Sequence, residues 1–193
     1  MKIIGITGGI GSGKSVVSRV FEVMNIPVYI ADIEAKKLME NSPVIREKLT
    51  EAFGNNIYND NTLDKNKLAS LIFNNPNHLQ AVNSIVHPLV FSDFSEWIDR
   101  HSFTDMAAIE SAILFESGFD KKTTITVNVF APIELRIKRI RKRDSISRKA
   151  ALERISNQLL EKERNKRSDY RIVNDNKHSL IKQTEILVNL WKQ

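Results

Sequence analysis

An eight-residue glycine-rich stretch near the N-terminus constrains the fold of this chain more than any other feature. Gly8–Ser15 reads GGIGSGKS and matches the phosphate-binding pattern G-x-x-x-x-G-K-[ST]. It follows an apolar run, Lys2–Thr7, that predicts a buried strand, and it leads into Lys14–Met24, where apolar residues recur at helical spacing. Glycines let successive backbone N–H groups converge on phosphate oxygens, and a helix start adds partial positive charge. The pattern and its context therefore predict a P-loop that binds a nucleoside triphosphate.

Each residue of this loop has an expected role if the ligand is ATP. Lys14 should reach the β- and γ-phosphates and act in catalysis, and Ser15 should offer its hydroxyl to Mg²⁺ as a metal ligand. The other residues expected to bind ATP here are Gly9, Gly11, Ser12, Gly13 and Val16. A dinucleotide fingerprint starting at Gly9 would need a glycine where Lys14 stands, which argues against hydride chemistry.

Strands and helices are predicted to alternate along the rest of the chain. The runs that predict further strands are Pro27–Ile30, Met106–Phe115, Thr124–Phe130 and Tyr170–Val173. Helices are predicted to open at Pro132 and to close the chain over Ser179–Trp191. This alternation predicts an α/β fold, a P-loop kinase core whose mainly parallel sheet is flanked by helices.

A long helical stretch separates the early strands from the later ones. The pattern is mostly helical from Ile33 to His101, with breaks predicted at 41–43 and over Gly54–Asn61, and a kink or break at Pro88. The predicted organisation is core at 1–33, a helical substrate-binding insertion at 34–103, core at 104–131, a basic helical lid at 132–167 and core at 168–193.

The positive charge of the chain is concentrated in one segment. The formal net charge is +6, yet the segment 134–167 alone holds 13 basic and 5 acidic residues, so the rest of the chain is slightly negative. Such a segment is either a solvated helical face or a cationic flap over a polyanionic ligand. A nucleic-acid surface would interleave aromatic residues with the basic ones, and this segment has no Phe, Tyr or Trp. The composition therefore favours a lid over nucleic-acid binding.

Composition also indicates the cellular compartment and the kinds of partner to expect. The chain has no cysteine, which excludes disulfides, thiolate metal sites and a cysteine nucleophile. It has no apolar run near the ~20 residues that a membrane span needs. We therefore expect a cytoplasmic protein that acts on a small molecule, with no membrane association, no nucleic acid and no obligatory protein partner.

One carboxylate is well placed to act on a phosphoryl acceptor. Asp32 follows the predicted strand that ends at Ile30, and the carboxyl ends of parallel strands share one edge of a sheet. It should therefore lie near the phosphate loop and act as a base or position the acceptor hydroxyl. The alternative is that Asp32 caps a helix starting at Ile33, and its position alone does not separate the two.

The basic segment supplies arginines at helical spacing. Arg136, Arg139 and Arg143 are three and four residues apart, so they share one face of a helix. Guanidinium groups stay charged and bind phosphate bidentately. A lid that carries them would neutralise charge in the transition state and exclude water, with Arg139 counted among the catalytic residues.

Taken together, these motifs resemble the dephospho-CoA kinase family over nearly the whole chain. The resemblance runs through residues 4–15, Ala31-Asp32, the His87-Pro88 pair within 83–90, and Leu114–Gly118. It continues through the lid pattern and the closing stretch, carried by Arg139, Arg143, Asp144, Arg154, Gln158, Asp169 and Asn174. The chain departs from the family where Ile30 replaces the first Asp of D-A-D, where Ala112 replaces a Pro, and where Val16 replaces a Thr.

The resemblance implies specific roles for several residues. It implies that Asp32 is the catalytic base, that Arg139 and Asn174 lie near the adenine of ATP with Arg143 also on the ATP side, and that the insertion is a CoA-binding domain. It further places Glu116 and His87 on the substrate side, although His87 is equally well explained as a structural histidine at a helix kink.

The activity implied is ATP- and Mg²⁺-dependent phosphorylation of the ribose 3′-hydroxyl of dephospho-CoA, the last step of coenzyme A synthesis. A nucleoside or nucleotide kinase is the alternative within the same class. A non-catalytic protein that binds phosphate or nucleic acid through its P-loop is the alternative outside it.

Overall fold

The chain folds as two compact units, as seen in a computed structural model that describes residues 1–59, 62–73 (without the Phe73 side chain) and 75–192. Met1–Ile30 and the chain from His101 onward form the first unit, and Ala31–Arg100 forms the second. The strands are β1 (Lys2–Thr7), β2 (Val28–Ile30), β3 (Tyr58–Asn59), β4 (Thr62–Leu63), β5 (Met106–Glu110), β6 (Ile125–Phe130) and β7 (Tyr170–Val173). The helices are α1 (Lys14–Val23), α2 (Ala31–Asn41), α3 (Pro43–Phe53), α4 (Lys65–Phe73), α5 (Pro76–Arg100), α6 (Ile133–Asp144), α7 (Arg148–Ser156), α8 (Glu161–Arg167) and α9 (Leu180–Lys192).

The first unit is built on a parallel sheet with β1 at its centre. Five strands lie in the order β2-β5-β1-β6-β7, and every pair of neighbours is parallel. At the carboxyl end of β1, Ile6 pairs with Glu110 of β5, and Thr7 pairs with Asn128 of β6. The predicted α/β fold with a mainly parallel sheet is confirmed. The glycine-rich loop therefore leaves the sheet between the ends of β5 and β6.

A continuous apolar core fixes both sides of that loop. Ile4 and Ile6 of β1 are fully buried, as are Val17 and Phe21 of α1, and all four belong to one cluster with residues of β5, β6, β7 and α9. The Phe21 ring stacks on Trp191 of α9 with centroids 6.3 Å apart. The strand before the loop and the helix after it are thus held in place by buried side chains.

The second unit is organised around the long helix α5. Helices α2, α3 and α4 each pack against it, and β3 pairs with β4 as a short antiparallel ladder. Val82, Val86, Val90 and Phe94 of α5 are buried at four-residue spacing. The sequence predicted a kink or a break at Pro88, and α5 continues from Pro76 to Arg100 without a break. The regular burial explains this continuity, since packing offsets the one hydrogen bond that proline removes.

Two other predicted boundaries differ from the structure. The strand predicted over Met106–Phe115 ends at Glu110, because Leu114 and Phe115 enter the core from a turn. A Cβ on Gly5 would lie 2.8 Å from Leu114 Cδ2, so this turn packs directly on β1. The break predicted over Gly54–Asn61 starts correctly at Gly54, which ends α3, while Asp60 and Asn61 lie outside the described residues.

No helix in the described ranges is both long and apolar enough to cross a membrane.

Candidate active site

The glycine-rich loop adopts a backbone that depends on glycine at Gly13. This residue caps α1 in the left-handed region, with φ of 96°. A Cβ there would lie 2.2 Å from Nδ2 of Asn174, which itself donates a 2.7 Å hydrogen bond to the Ser12 carbonyl. Any side chain at position 13 would therefore strain the backbone and displace Asn174 from the loop. The N-terminus of α1, with the positive end of its dipole, follows directly.

Helix α6 braces the outside of the loop through two of the predicted arginines. Arg136 Nε donates to the Ile10 carbonyl at 2.9 Å. Arg139 Nη1 lies 3.3 Å from the carbonyl oxygens of both Gly11 and Ser12. Side-chain donors therefore hold the carbonyl groups of three successive residues of the loop.

This bracing determines where the loop amides point. Every peptide bond described is trans, so the C=O of one residue and the N–H of the next point in opposite directions. With the carbonyls of Ile10 and Ser12 bound from the α6 and Asn174 side, the N–H groups of Gly11 and Gly13 point to the other side. The loop thus presents donors toward the position that a phosphate would occupy.

The interior of the loop carries polar groups that suit an anion. Lys14 Nζ donates to the Gly8 carbonyl at 2.9 Å, which keeps the ammonium group folded over the loop. The hydroxyl oxygens of Ser12 and Thr7 are buried without a hydrogen-bond partner among the described residues. Such unsatisfied hydroxyls are costly unless a ligand completes them. Ser15 and Val16 are exposed in the first turn of α1.

A buried ion cluster connects α6 to α8 behind the loop. Arg136 is 5% exposed and Arg164 is 1% exposed, and both guanidinium groups reach Glu161 Oε2, at 3.4 and 3.2 Å. Glu161 Oε1 accepts from Asn128 Nδ2 at 2.8 Å, while Gln158 Oε1 accepts from the Ile10 N–H at 2.7 Å. Burial is the main cause that lowers the pKa of Arg136. One carboxylate serves two buried guanidinium groups, so the cluster keeps a net positive charge beside the loop.

The sequence analysis missed Glu110. The run Met106–Phe115 predicts only a strand and gives this carboxylate no role, whereas Glu110 ends β5 beside β1 and is 8% exposed. Ser18 Oγ donates to Glu110 Oε2 at 2.7 Å, and Ser18 lies one turn after Ser15 on the same face of α1. A carboxylate at the end of the strand next to the P-loop strand is a typical metal-side group in P-loop enzymes. The signal available in the sequence was a single acidic residue ending an otherwise apolar strand.

Two predicted residues of the first unit have local partners away from the loop. Arg143 binds Asp144 through Nε at 2.7 Å and Nη2 at 3.0 Å, and Arg154 Nη1 also reaches Asp144 at 2.5 Å. These hydrogen bonds, led by the one from Arg143, hold the pKa of the Asp144 carboxyl below its usual range. Glu116 accepts a 3.3 Å hydrogen bond from the Leu159 N–H, which ties its turn to the segment before α8. Their predicted contacts with ATP and substrate stay predictions.

The other two predicted residues belong to the second unit. Asp32 is exposed in the first turn of α2, which begins at Ala31 rather than Ile33, so Asp32 lies inside the helix and does not precede it as a cap would. His87 is half-buried in α5, and burial lowers the pKa of its imidazole, which favours the neutral form at pH 7. No hydrogen bond joins its ring to a described residue.

The central parallel strand, the braced phosphate loop and the lysine at its helix start define a P-loop nucleotide-binding protein. The sequence model of the dephospho-CoA kinase family matches residues 2–179. The chain is 42% identical over 191 residues to the dephospho-CoA kinase of Bacteroides fragilis (strain YCH46), covering 98% of this chain and 93% of that one. The chain therefore belongs to the dephospho-CoA kinase family, as the resemblance indicated.

Solved structures agree with this assignment. The crystal structure of a Thermus thermophilus protein superimposes with a TM-score of 0.89 and 32% identity, covering 100% of this chain and 98% of that one. The dephospho-CoA kinase of Campylobacter jejuni superimposes with a TM-score of 0.70 and 25% identity, covering 98% of this chain and 96% of that one. The predicted kinase fold is confirmed, and membership of a kinase family implies ATP as the co-substrate.

Replacing Arg139 with alanine should loosen the phosphate loop. The change removes the donors to the Gly11 and Ser12 carbonyls and the bond to Asn176 Oδ1 at 2.8 Å. We expect the KM for ATP to rise ~10-fold, because a lost charge-assisted hydrogen bond is worth about 1.5–3 kcal/mol. The thermal midpoint should fall by only a few degrees.

The matched control is Arg141→Ala, which makes the same charge change at an exposed position of α6. Steady-state kinetics and a thermal melt measure both variants. An unchanged KM for ATP in Arg139→Ala would mean that the bracing bonds are dispensable for nucleotide binding. A large loss of stability with a normal KM would make the residue purely structural.

Proposed function

We propose that this protein transfers the γ-phosphoryl group of ATP to the 3′-hydroxyl of dephospho-CoA, giving coenzyme A and ADP in the last step of coenzyme A synthesis. The observation that carries the proposal is the family match over residues 2–179, combined with an intact phosphate loop at the end of the central strand. The relatives of the chain are named for this activity. The absence of cysteine supports the cytoplasm as the place of action.

ATP would bind with its phosphates on the inner side of the loop. The N–H groups of Gly11 and Gly13 and the start of α1 supply neutral donors, and Lys14 exchanges the Gly8 carbonyl for the β- and γ-phosphates. The Ser12 hydroxyl gains the partner that it lacks among the described residues. Arg139 and Asn174 are bonded to each other at 3.1 Å beside the loop, which supports their role at the nucleotide.

Two groups of the first unit fit a magnesium ion that accompanies ATP. The Ser15 hydroxyl is exposed at the start of α1, and the Glu110 carboxylate is anchored one turn further along by Ser18. Mg²⁺ prefers oxygen ligands and commonly takes one or two from the protein and the rest from phosphates and water. Among the described residues no group of three acidic, His or Cys side chains forms a separate metal cage, which agrees with a shared site. When bound, the ion neutralises charge that develops on the phosphates.

Asp32 is proposed to orient the acceptor hydroxyl and to accept its proton. A carboxylate can do this only if it is accessible, and Asp32 is exposed in the first turn of α2. It lies one residue after the first residue of that helix. Glu116 and His87 stay proposed substrate-side residues.

A panel of acceptors tests the proposed activity. Release of ADP from ATP is measured with dephospho-CoA, adenosine, AMP, cytidine monophosphate or no acceptor. We expect turnover with dephospho-CoA alone, and only with Mg²⁺ present. Activity on one of the nucleotides instead would move the protein to another kinase class, and the absence of turnover with every acceptor would overturn the enzymatic proposal.

Asp32→Ala should abolish most turnover without affecting ATP binding. Loss of a general base costs typically 10²-fold or more, so we expect kcat to fall by about that factor. Glu34→Ala is the matched control, because Glu34 lies in the same first turn and pairs with Lys37 at 2.8 Å. A similar loss of turnover in both variants would mean that negative charge in the first turn of α2 matters, and not Asp32 in particular. Near-normal turnover of Asp32→Ala would contradict the assignment of Asp32 as the base.

Glu110→Gln should raise the Mg²⁺ requirement of the reaction. The amide keeps the shape of the side chain and can still bond Ser18, but it removes the negative charge near the proposed ion. We expect half-saturation by Mg²⁺ to rise ~10-fold or more, as for other changes next to a metal. Glu22→Gln, at an exposed position of α1, is the control. An unchanged Mg²⁺ titration would remove Glu110 from the metal side.

A further inference from the structure

The backbone of Ile10, in the phosphate loop, is held at both of its polar groups. Its N–H donates to Gln158 Oε1 at 2.7 Å, and its carbonyl accepts from Arg136 Nε at 2.9 Å. A Cβ on Gly9 would overlap Arg136 Nη2, so the guanidinium group also packs directly on the backbone before Ile10. Because the peptide bond is trans, the direction of the Ile10 carbonyl sets the direction of the Gly11 N–H. The position of Arg136 therefore decides where this phosphate donor points.

The orientation of Arg136 is set at the other end of its guanidinium group. Nη1 lies 3.4 Å from Glu161 Oε2, and Nη2 lies 3.5 Å from Gln158 Oε1. A guanidinium group is planar and carries its donors in a fixed fork, so holding the two terminal nitrogens also fixes the direction in which the Nε–H points. Glu161 supplies the negative charge that pairs with this group. The hydrogen bond to the loop thus depends on the place of the Glu161 carboxylate.

Glu161 is itself held against the central sheet. Its Oε1 accepts from Asn128 Nδ2 at 2.8 Å, and its Oε2 also accepts from Arg164 Nη1 at 3.2 Å. Asn128 is fully buried in β6, next to the strand β1 that leads into the loop, and Arg164 is 1% exposed. The carboxylate therefore has a fixed place relative to the sheet, and Arg136 connects it to the loop.

The charge of Glu161 has the wrong sign for a direct role in binding an anion. A carboxylate near a phosphate site lowers the positive potential that attracts a triphosphate. The gain that offsets this loss is the orientation of Arg136, because charge-assisted hydrogen bonds are about twice as strong as neutral ones. A neutral acceptor at position 161 would hold the guanidinium group less firmly.

We propose that Glu161 is a positioning residue for ATP, which acts through Arg136 and holds the Gly11 N–H toward the phosphates. The inference rests on the proposed function only in requiring ATP as the co-substrate, and it does not depend on the acceptor. It extends the nucleotide site from the loop and α6 to the first turn of α8.

Glu161→Gln should weaken ATP binding although it removes a negative charge near the loop. The amide keeps the size of the side chain but binds the guanidinium group of Arg136 less tightly. We expect the Kd for ATP, measured by isothermal titration calorimetry without any acceptor, to rise about 10-fold, as for one lost charge-assisted hydrogen bond. The KM for dephospho-CoA should not change. Glu163→Gln is the matched control and should leave the Kd unchanged, because it makes the same charge change at an exposed position in the same turn of α8.

A double-mutant cycle tests whether the effect passes through Arg136. Arg136→Met removes the guanidinium group and leaves Arg164 and Glu161 as a neutral pair, so it should weaken ATP binding without lowering the thermal midpoint. In that background Glu161→Gln should change the Kd for ATP by less than about 2-fold, because the group that it positions is gone. Glu161→Asp keeps the charge and so protects the fold, but it draws the carboxylate back by one methylene. It should also weaken ATP binding, and it takes the place of Glu161→Gln in the cycle if that variant does not fold.

The calorimetry and a thermal melt of each variant together decide the proposal. Tighter ATP binding by Glu161→Gln would overturn it, because the charge alone would then account for the effect. A lower thermal midpoint with an unchanged Kd in both Glu161 variants would make the residue purely structural. Equal effects on the Kd with and without Arg136 would show that Glu161 acts by another route. A protein that binds ATP but phosphorylates no acceptor would overturn the proposed function and leave this inference standing.

Discussion

The phosphate loop keeps its shape because one buried and one half-buried arginine of α6 hold its carbonyl groups from outside. Glycine-rich backbone loses much conformational entropy when it is ordered, so such a loop needs external bonds. Arg136, Arg139 and Asn174 supply them to three successive carbonyls, and Gln158 holds the Ile10 N–H. Burying Arg136 and Arg164 against the single carboxylate of Glu161 leaves a positive excess that is costly in an isolated chain. The ATP that membership of a kinase family implies carries the opposite charge, so a triphosphate in the loop would compensate that excess.

The same contacts divide the basic segment into parts with different roles. The inner side of α6 is docked on the loop, because Ile137 and Ile140 are buried in a cluster that includes Ile10. Movement of α6 as a free flap would break these contacts and the arginine bonds together. Arg143, near the C-terminus of α6, pairs with Asp144 and not with the loop. A lid formed by the segment 132–167 therefore has to close through groups other than Arg136 and Arg139, which already hold the outside of the loop.

Much of the fold could be predicted from the sequence, because its signals are local. The P-loop pattern, the apolar strands and the helical spacing gave the parallel sheet and the position of the loop. What the sequence could not give depends on contacts distant along the chain. The proposed role of Glu110 depends on two such contacts, the pairing of β5 with β1 and the hydrogen bond from Ser18. An apolar run such as Met106–Phe115 contains core residues both in a strand and in a turn, and hydrophobicity alone does not separate them. Likewise, the spacing of the lid arginines predicted a shared face but not that two of them would donate to loop carbonyls.

The chemistry of the acceptor separates what catalysis needs from what selection needs. A ribose 3′-hydroxyl occurs in many ribonucleotides, so the reacting group offers no discrimination between them. Contacts to the rest of the acceptor have to supply it, and an apolar contact alone distinguishes ligands that differ by a methylene by only about 10–200-fold. Discrimination therefore needs a second criterion, such as a charge that must be matched at a fixed distance from the reacting group. The phosphate loop, whose carbonyl groups are held by α6, provides only the part that every ATP-dependent phosphoryl transfer has in common.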